Sequence, residues 1–163
     1  MITKNWMEQL NDISFLYLET TCLNITKSKM MNEYQTWGDV YTIEFSIIVS
    51  QIPAETRNVF YFTETNSDRI PAVFVHKKIC IGNTNLKTFC FTFEQGKMYQ
   101  MTIRHFIECE KYWYEILVDG NSMFKMESTA PESFSNVKFY ASDPWHEPFS
   151  SDVGSICNVK ICK

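Results

Sequence analysis

The nine residues Tyr41-Thr-Ile-Glu-Phe-Ser-Ile-Ile-Val49 set the reading of this chain. Tyr41, Ile43, Phe45, Ile47 and Val49 alternate with Thr42, Glu44 and Ser46, a period of two that gives a strand one apolar face and one polar face. Phe89, Phe91 and Phe93 repeat the pattern against Thr88, Cys90 and Thr92, and Tyr99, Met101 and Ile103 repeat it against Gln100, Thr102 and Arg104. All three segments are expected to be core strands. Shorter runs predict further strands over Ile13 to Leu18, Thr20 to Ile25, Val59 to Thr63, Ala72 to His76, Ile79 to Gly82, Tyr112 to Val118, Ser122 to Glu127, Val137 to Ala141 and Ile156 to Ile161. Between them lie the turn signals Asp119-Gly120, Gly82-Asn83 and Gln95-Gly96 and stops at Pro53, Pro71, Pro131, Pro144 and Pro148. Helical turns are expected only near Trp6 to Leu10 and Lys29 to Tyr34. No long apolar stripe at helical spacing supplies the crossover helices that a parallel sheet needs. A set of about a dozen antiparallel strands must close or stack. The expected fold is all-β, a two-sheet antiparallel β-sandwich of jelly-roll type.

Bulk composition agrees with one filled core. The 163 residues are 45% hydrophobic and 15% aromatic, enough to bury roughly two thirds of the unfolded surface. With five Gly, five Pro and no repeat or low-complexity run, no boundary divides residues 1–163, which are expected to form a single domain. A net charge of -4 argues against nucleic acid as a partner, because phosphate binding needs clustered Lys and Arg. Phe45 to Val49 and Ile70 to Val75 are too short to span a membrane. The N-terminus, Met1 to Leu10, has acids and amides where a signal peptide carries an uninterrupted apolar core. Six cysteines and the sequon Asn24-Ile25-Thr26 nevertheless suit an oxidising compartment, so an extracellular, secreted location is expected, with Asn24 as a glycosylation candidate.

Three blocks carry a family resemblance. Phe91 to Ile116, with its Gly96-led strand and the Val118-Asp119-Gly120 turn that follows, resembles the central strands of concanavalin A-like jelly rolls of the galectin and laminin-G type. Phe134-Ser-Asn-Val-Lys-Phe-Tyr-Ala-Ser-Asp-Pro-Trp145 followed by Gly154 to Ile161, and Asp68-Arg-Ile-Pro-Ala-Val-Phe74, resemble laminin-G-like modules of extracellular and adhesive invertebrate proteins. The resemblance covers roughly Trp37 to Ile161 and leaves residues 1–36 outside. It implies neighbouring first and last strands, which would bring Cys22 near Cys157 or Cys162. Cys80 and Cys90, on two short strands around the Gly82 to Lys87 loop, face away from the apolar neighbours and suit a cross-strand disulfide. Cys109 is then left with the unpaired member of Cys157 and Cys162. The alternative is six reduced thiols, as in cytosolic galectins.

Candidate chemistry is sparse. A glycoside hydrolase on this scaffold needs two carboxyls converging on one sugar, but Glu108 and Glu110 flank a turn and Glu115 shares its strand with Trp113 and Leu117. His76, His105 and His146 show no ligand spacing, so no zinc site and no metal ligands are assigned. Calcium is a cofactor that the laminin-G resemblance allows, through Asp68, Asp119, Asp143 or Asp152 and backbone carbonyls. No Gly-x-Ser-x-Gly elbow accompanies Ser46, Ser50 or Ser67. Galectin-type β-galactoside binding is not expected, since Trp37-Gly38-Asp39 lies far upstream and no His-x-Asn-x-Arg strand occurs. What remains for recognition is aromatic and polar: Trp113, Arg104, Glu115, Trp145 and His146. A structural part is expected for Asp143-Pro144-Trp145, with Asp143 accepting turn amides, the indole plugging the sandwich edge and Arg69 pairing with Asp143. The chain is thus expected to be a non-catalytic extracellular recognition or adhesion module for a glycan or protein surface; a degenerate glycosidase and a purely structural module are the alternatives.

Overall fold

The structure, a computed structural model, describes residues 15–129 and 133–163. Its strands are β1 (Phe15–Cys22), β2 (Met30–Trp37), β3 (Tyr41–Val49), β4 (Arg57–Thr63), β5 (Ala72–Val75), β6 (Ile79–Gly82) and β7 (Phe89–Phe91). They continue as β8 (Met98–Glu108), β9 (Lys111–Val118), β10 (Asn121–Glu127), β11 (Phe134–Tyr140), β12 (Glu147–Pro148) and β13 (Gly154–Cys162). One sheet runs β1-β13-β3-β8-β9-β10 and the other β2-β11-β4-β5-β6-β7, with β12 added to β4. Every pairing is antiparallel except the two-residue contact of β12 with β4. This is the two-sheet antiparallel β-sandwich that the period of two implies.

Alternation explains the packing. On β3 the side chains of Tyr41, Ile43, Phe45, Ile47 and Val49 are all buried, and the strand lies between β13 and β8 in the middle of its sheet. Phe45 meets Phe60 of the opposite sheet edge to face at 5.1 Å, while Phe62 and Phe139 stack at 4.5 Å. Trp37, almost wholly buried, touches Tyr41 at 5.1 Å and Phe62 at 5.0 Å. At Gly154 the chain lies so close to its sheet neighbour β3 and to the segment after β12 that a Cβ would collide with the Ile48 carbonyl oxygen and the Phe149 ring.

Several expectations need correction. Residues Lys29 to Tyr34 do not form a helical turn; Met30–Trp37 is a strand paired with β11. Met31, Tyr34 and Trp37 are spaced three apart as on a helix, and pairing to β11 overrides that spacing. The two strands expected over Ile13 to Ile25 are one, β1, irregular between Glu19 and Cys22. Phe89 to Phe93 is no core strand: β7 is a three-residue edge whose Phe89 and Phe91 are half-buried, and Phe93 follows it. Pro148 ends the two-residue strand β12, where it pairs beside Asn58. Trp6 to Leu10 and Pro131 lie outside the described residues. Residues 15–36, beyond the reach of the family resemblance, supply β1 and β2.

The first and last strands are adjacent, and Cys22, opposite Cys157 in that pairing, is bonded to it. Cys80 and Cys90, opposite each other on β6 and β7, are also bonded. Cys109 and Cys162 are free thiols, which corrects both the expected third pair and the fully reduced alternative. Cys162 aligns with Thr42, and Thr42 with Arg104. Cys109 therefore lies two strands across and five residues farther along, at about 10 Å by about 17 Å, out of disulfide reach.

Two predictions follow from this packing. The Cys22–Cys157 bond spans 135 residues and the Cys80–Cys90 bond 10, so loop-closure entropy assigns about 5 kcal/mol to the first and about 3 kcal/mol to the second. Denaturant melts of the C22S/C157S and C80S/C90S proteins should show the larger loss in the former. His105 is buried among Tyr41, Tyr112 and Tyr114, and burial pushes its pKa below the usual 6.5 despite the opposing pull of Asp39. The unfolded chain thus takes up this proton first. The contribution is complete above about pH 6.5 and is lost as pH falls from there toward the depressed value. Between pH 7 and 5.5 the Tm of the parent should drop more than that of H105Q.

Candidate ligand-binding site

On β4 the core takes Phe60 and Phe62, which turns Tyr61 to the outside of the sheet. There it packs with Ala72 and Phe74 of β5 and with Tyr140 of β11, a second apolar cluster apart from the core. Tyr61 meets Phe74 edge-on at 6.1 Å. Burial pushes the Tyr61 hydroxyl up in pKa, against a hydrogen bond and the charge of Arg69, which act to lower it.

The loop after β11 closes over this cluster because of one buried acid. Asp143, fully buried, accepts the backbone N–H groups of Trp145 at 2.8 Å and His146 at 2.7 Å through Oδ1. Its Oδ2 lies 2.8 Å from Nδ1 of His146; a carboxylate only accepts, so Nδ1 donates. Asp143 is tied to the sheet in turn, donating its own N–H to Oδ1 of buried Asn58 at 2.8 Å. The Asn58 amide donates to the carbonyls of Phe60 and Val73, at 3.1 Å each, across the irregularity where β4 pairs with β5. Held this way, Trp145 stands 43% exposed against Tyr61, with ring centroids 5.6 Å apart, and the His146 ring meets Phe74 at 5.0 Å.

Beside this aromatic run lies a cavity of about 460 Å³ lined by Phe74, His146, Arg69, His76, Lys77, Lys78, Thr56, Cys80 and Thr88. Arg69 does not pair with Asp143 as expected. Its guanidinium sits over the Phe74 ring, 5.4 Å from the centroid, because the buried carboxylate is already saturated by its own loop. Nor does Trp145 plug the sandwich edge; its indole stands half-exposed against Tyr61 on the outer face.

The remaining candidates lie on the outside of the other sheet. Arg104 donates through Nε to Oε2 of Glu115 at 2.7 Å and also forms an ion pair with that oxygen through its Nη2. Burial alone would push the Glu115 carboxyl up, but hydrogen bonds from Ser122 and Arg104 and the charges of Arg104 and Lys125 hold it below the ordinary value. Lys125 lies 4.7 Å from the Trp113 centroid and 5.3 Å from that of Phe106, and it pairs with Glu108 at 3.0 Å. Arg104 covers Phe106 at 4.4 Å. Charges are matched and rings capped on this face, whereas the Trp145 face leaves an indole, a cavity and several cations unmatched. The five expected binding residues are therefore split between opposite surfaces.

Asn58, Tyr61, Phe74, Lys77 and Lys78 were not singled out by sequence. The signal for Tyr61 and Phe74 is their position: each is a large aromatic on the outward beat of its strand. Asn24 is exposed in the β1–β2 connection. Of the calcium candidates, Asp68 accepts from the Thr65 amide, Asp119 from the Gln100 amide and Asp152 from the Ser150 hydroxyl. Among the described residues no three of His, Cys, Asp and Glu gather as a metal-holding group.

No family model matches the sequence, and no curated protein matches it. Solved structures do. The receptor-binding domain of botulinum neurotoxin D superposes with a TM-score of 0.61 at 10% identity, over 93% of this chain and 42% of that one. Domain 4 of AbnA, a GH43 extracellular arabinanase from Geobacillus stearothermophilus in complex with arabinotriose, gives 0.56 at 12% identity, over 82% and 65%. Trypanosoma rangeli sialidase in complex with sialic acid gives 0.52 at 8%, over 76% and 20%. The shared property is the fold, a β-sandwich. This chain spans 42% of the toxin domain's length.

Replacing Asp143 by Ala leaves the Trp145 and His146 amides without their acceptor, at a cost of about 2 kcal/mol or more. In D143A, amide exchange of residues 144–147 should accelerate and Trp145 emission should shift to the red, while protection of β3 and β8 stays.

Proposed function

We propose that this chain is a non-catalytic, extracellular recognition module that binds a glycan on the outer face of its second sheet, along Trp145 and the adjoining cavity. The observation that carries the reading is the indole of Trp145, 43% exposed yet fixed in place by the buried Asp143–Asn58 relay and backed by Tyr61 and Phe74. A sugar ring offers an apolar face to stack and hydroxyls to bond. The site answers with a rigid aromatic surface and, in the adjoining cavity, the His146 ring and the Thr56 and Thr88 hydroxyls. Fixing the aromatic beforehand removes an ordering cost from binding.

Three further observations support the reading. Two disulfides and the exposed sequon residue Asn24 favour an oxidising, extracellular setting. Glu115, the acid on which a hydrolase reading rests, is bound to Arg104 and held ionised, a poor state for a general acid. Sandwiches of similar fold occur in complexes with arabinotriose and with sialic acid, and kinship with laminin-G-like modules, carried by the Phe134 to Trp145 and Gly154 to Ile161 blocks, belongs to the same proposal.

The test is a glycan-array screen followed by calorimetry on the saccharides retained. W145A should weaken binding by about tenfold or more, equivalent to about 1.4 kcal/mol, and leave the Tm nearly unchanged. W113A, on the opposite surface, should leave affinity as it was. Equal loss from W113A, or an array with no retained glycan, would remove the reading.

A further inference from the structure

The charge around the cavity lined by Phe74 and His146 runs against that of the chain. Net charge is -4, yet Arg69, Lys77 and Lys78 line the cavity together with His76 and His146, and among the described residues no carboxylate does. Elsewhere among the described residues most cations are neutralised by a neighbour, from Lys27 beside Glu147 to Lys160 beside Glu44. Among the described residues Arg69, Lys77 and Lys78 have no such ion-pair partner. An acidic protein that gathers unmatched cations at one cavity keeps a positive local potential there, at a cost in self-repulsion that a bound anion relieves.

Arg69 is also pre-positioned. Its backbone N–H donates to Oγ1 of Thr84 at 2.6 Å, and its carbonyl accepts the Thr84 N–H at 2.9 Å. The side chain runs along Gly82, where a Cβ would stand 3.3 Å from Arg69 Cδ, and reaches over the Phe74 ring. It also donates a hydrogen bond to the Tyr61 hydroxyl oxygen. A guanidinium laid on a ring, with its stem in a glycine channel, loses little freedom when it takes an anion, and its planar fork matches a carboxylate or sulfate in two parallel hydrogen bonds. Lys77 and Lys78 project from the tight turn in which the His76 N–H donates to the Lys78 carbonyl at 3.1 Å.

Building on the glycan reading above, we infer that the ligand is an acidic saccharide, whose carboxylate or sulfate is held by Arg69 with Lys77 and Lys78 while a neighbouring sugar ring stacks on Trp145. Matched pairs of probes isolate the charge: an oligogalacturonate against its methyl ester, sialyllactose against lactose, and a heparin hexasaccharide against its desulfated form. In at least one pair the acidic member should bind tenfold or more tightly than its neutral partner, with affinity falling as salt rises. R69Q and K77Q/K78Q should each erase most of that preference without shifting the Tm, and R69K should restore only part of what R69Q loses. The galacturonate and heparin arms tell carboxylate from sulfate. Equal binding of charged and neutral members, still abolished by W145A, would overturn the acidic ligand and leave glycan binding intact. A polyglutamate peptide bound as tightly as the acidic saccharides would overturn it as a mere charge trap. No binding of any saccharide would overturn both readings.

Discussion

The aromatic seam between the sheets is the constraint on which the rest depends. Phe45 meets Phe60, Phe60 adjoins Phe62, and Phe62 stacks on Phe139, with Trp37 wedged against Phe62 and Tyr41. Each strand can give only one face to this seam, since its side chains alternate. Register follows, because a one-residue slip would turn Phe60 and Phe62 to solvent and carry Tyr61 inward. What each strand shows on its other face is then left free of the demands of folding.

The two outer faces spend that freedom differently. On the first sheet, Arg104, Glu115, Lys125 and Glu108 neutralise one another and cap Phe106 and Trp113. On the second sheet, Tyr61, Phe74 and Tyr140 form a shelf on which a single buried carboxylate sets Trp145 and His146. A buried acid with three donors around it can hold a short loop in one geometry, and here the geometry leaves an indole in water. Tryptophan held outward against the hydrophobic effect, beside a cavity lined with unmatched cations, makes sense as recognition.

The legible part of the sequence was the part governed by period and opposition. Tyr41 to Val49 could be read because alternation is strict there and the strand sits mid-sheet; Ile79 to Gly82 because its turns bound it. β2 could not, since Met31, Tyr34 and Trp37 lie at helical spacing and only the distant partner β11 makes them a strand. The same holds for the site. Asp143 as an acceptor of turn amides was visible from Asp-Pro-Trp, a local pattern. Its tether to Asn58, 85 residues away, was not, nor was the saturation that leaves Arg69 to Phe74 and Tyr61. Trp113, Arg104 and Glu115 read as a binding set because chemistry-bearing residues cluster on adjacent strands, but sequence does not show that Lys125 and Glu108 already satisfy them.

The central claim is that recognition occurs on the Trp145 face. Amide chemical-shift mapping of the isotope-labelled protein, titrated with the acidic and neutral oligosaccharides named above, tests it most directly. The account predicts perturbations gathered at Arg69, Phe74, Lys77, Lys78, Trp145 and His146, with β8 to β10 silent. Perturbations centred on Arg104, Trp113, Glu115 and Lys125 would contradict it.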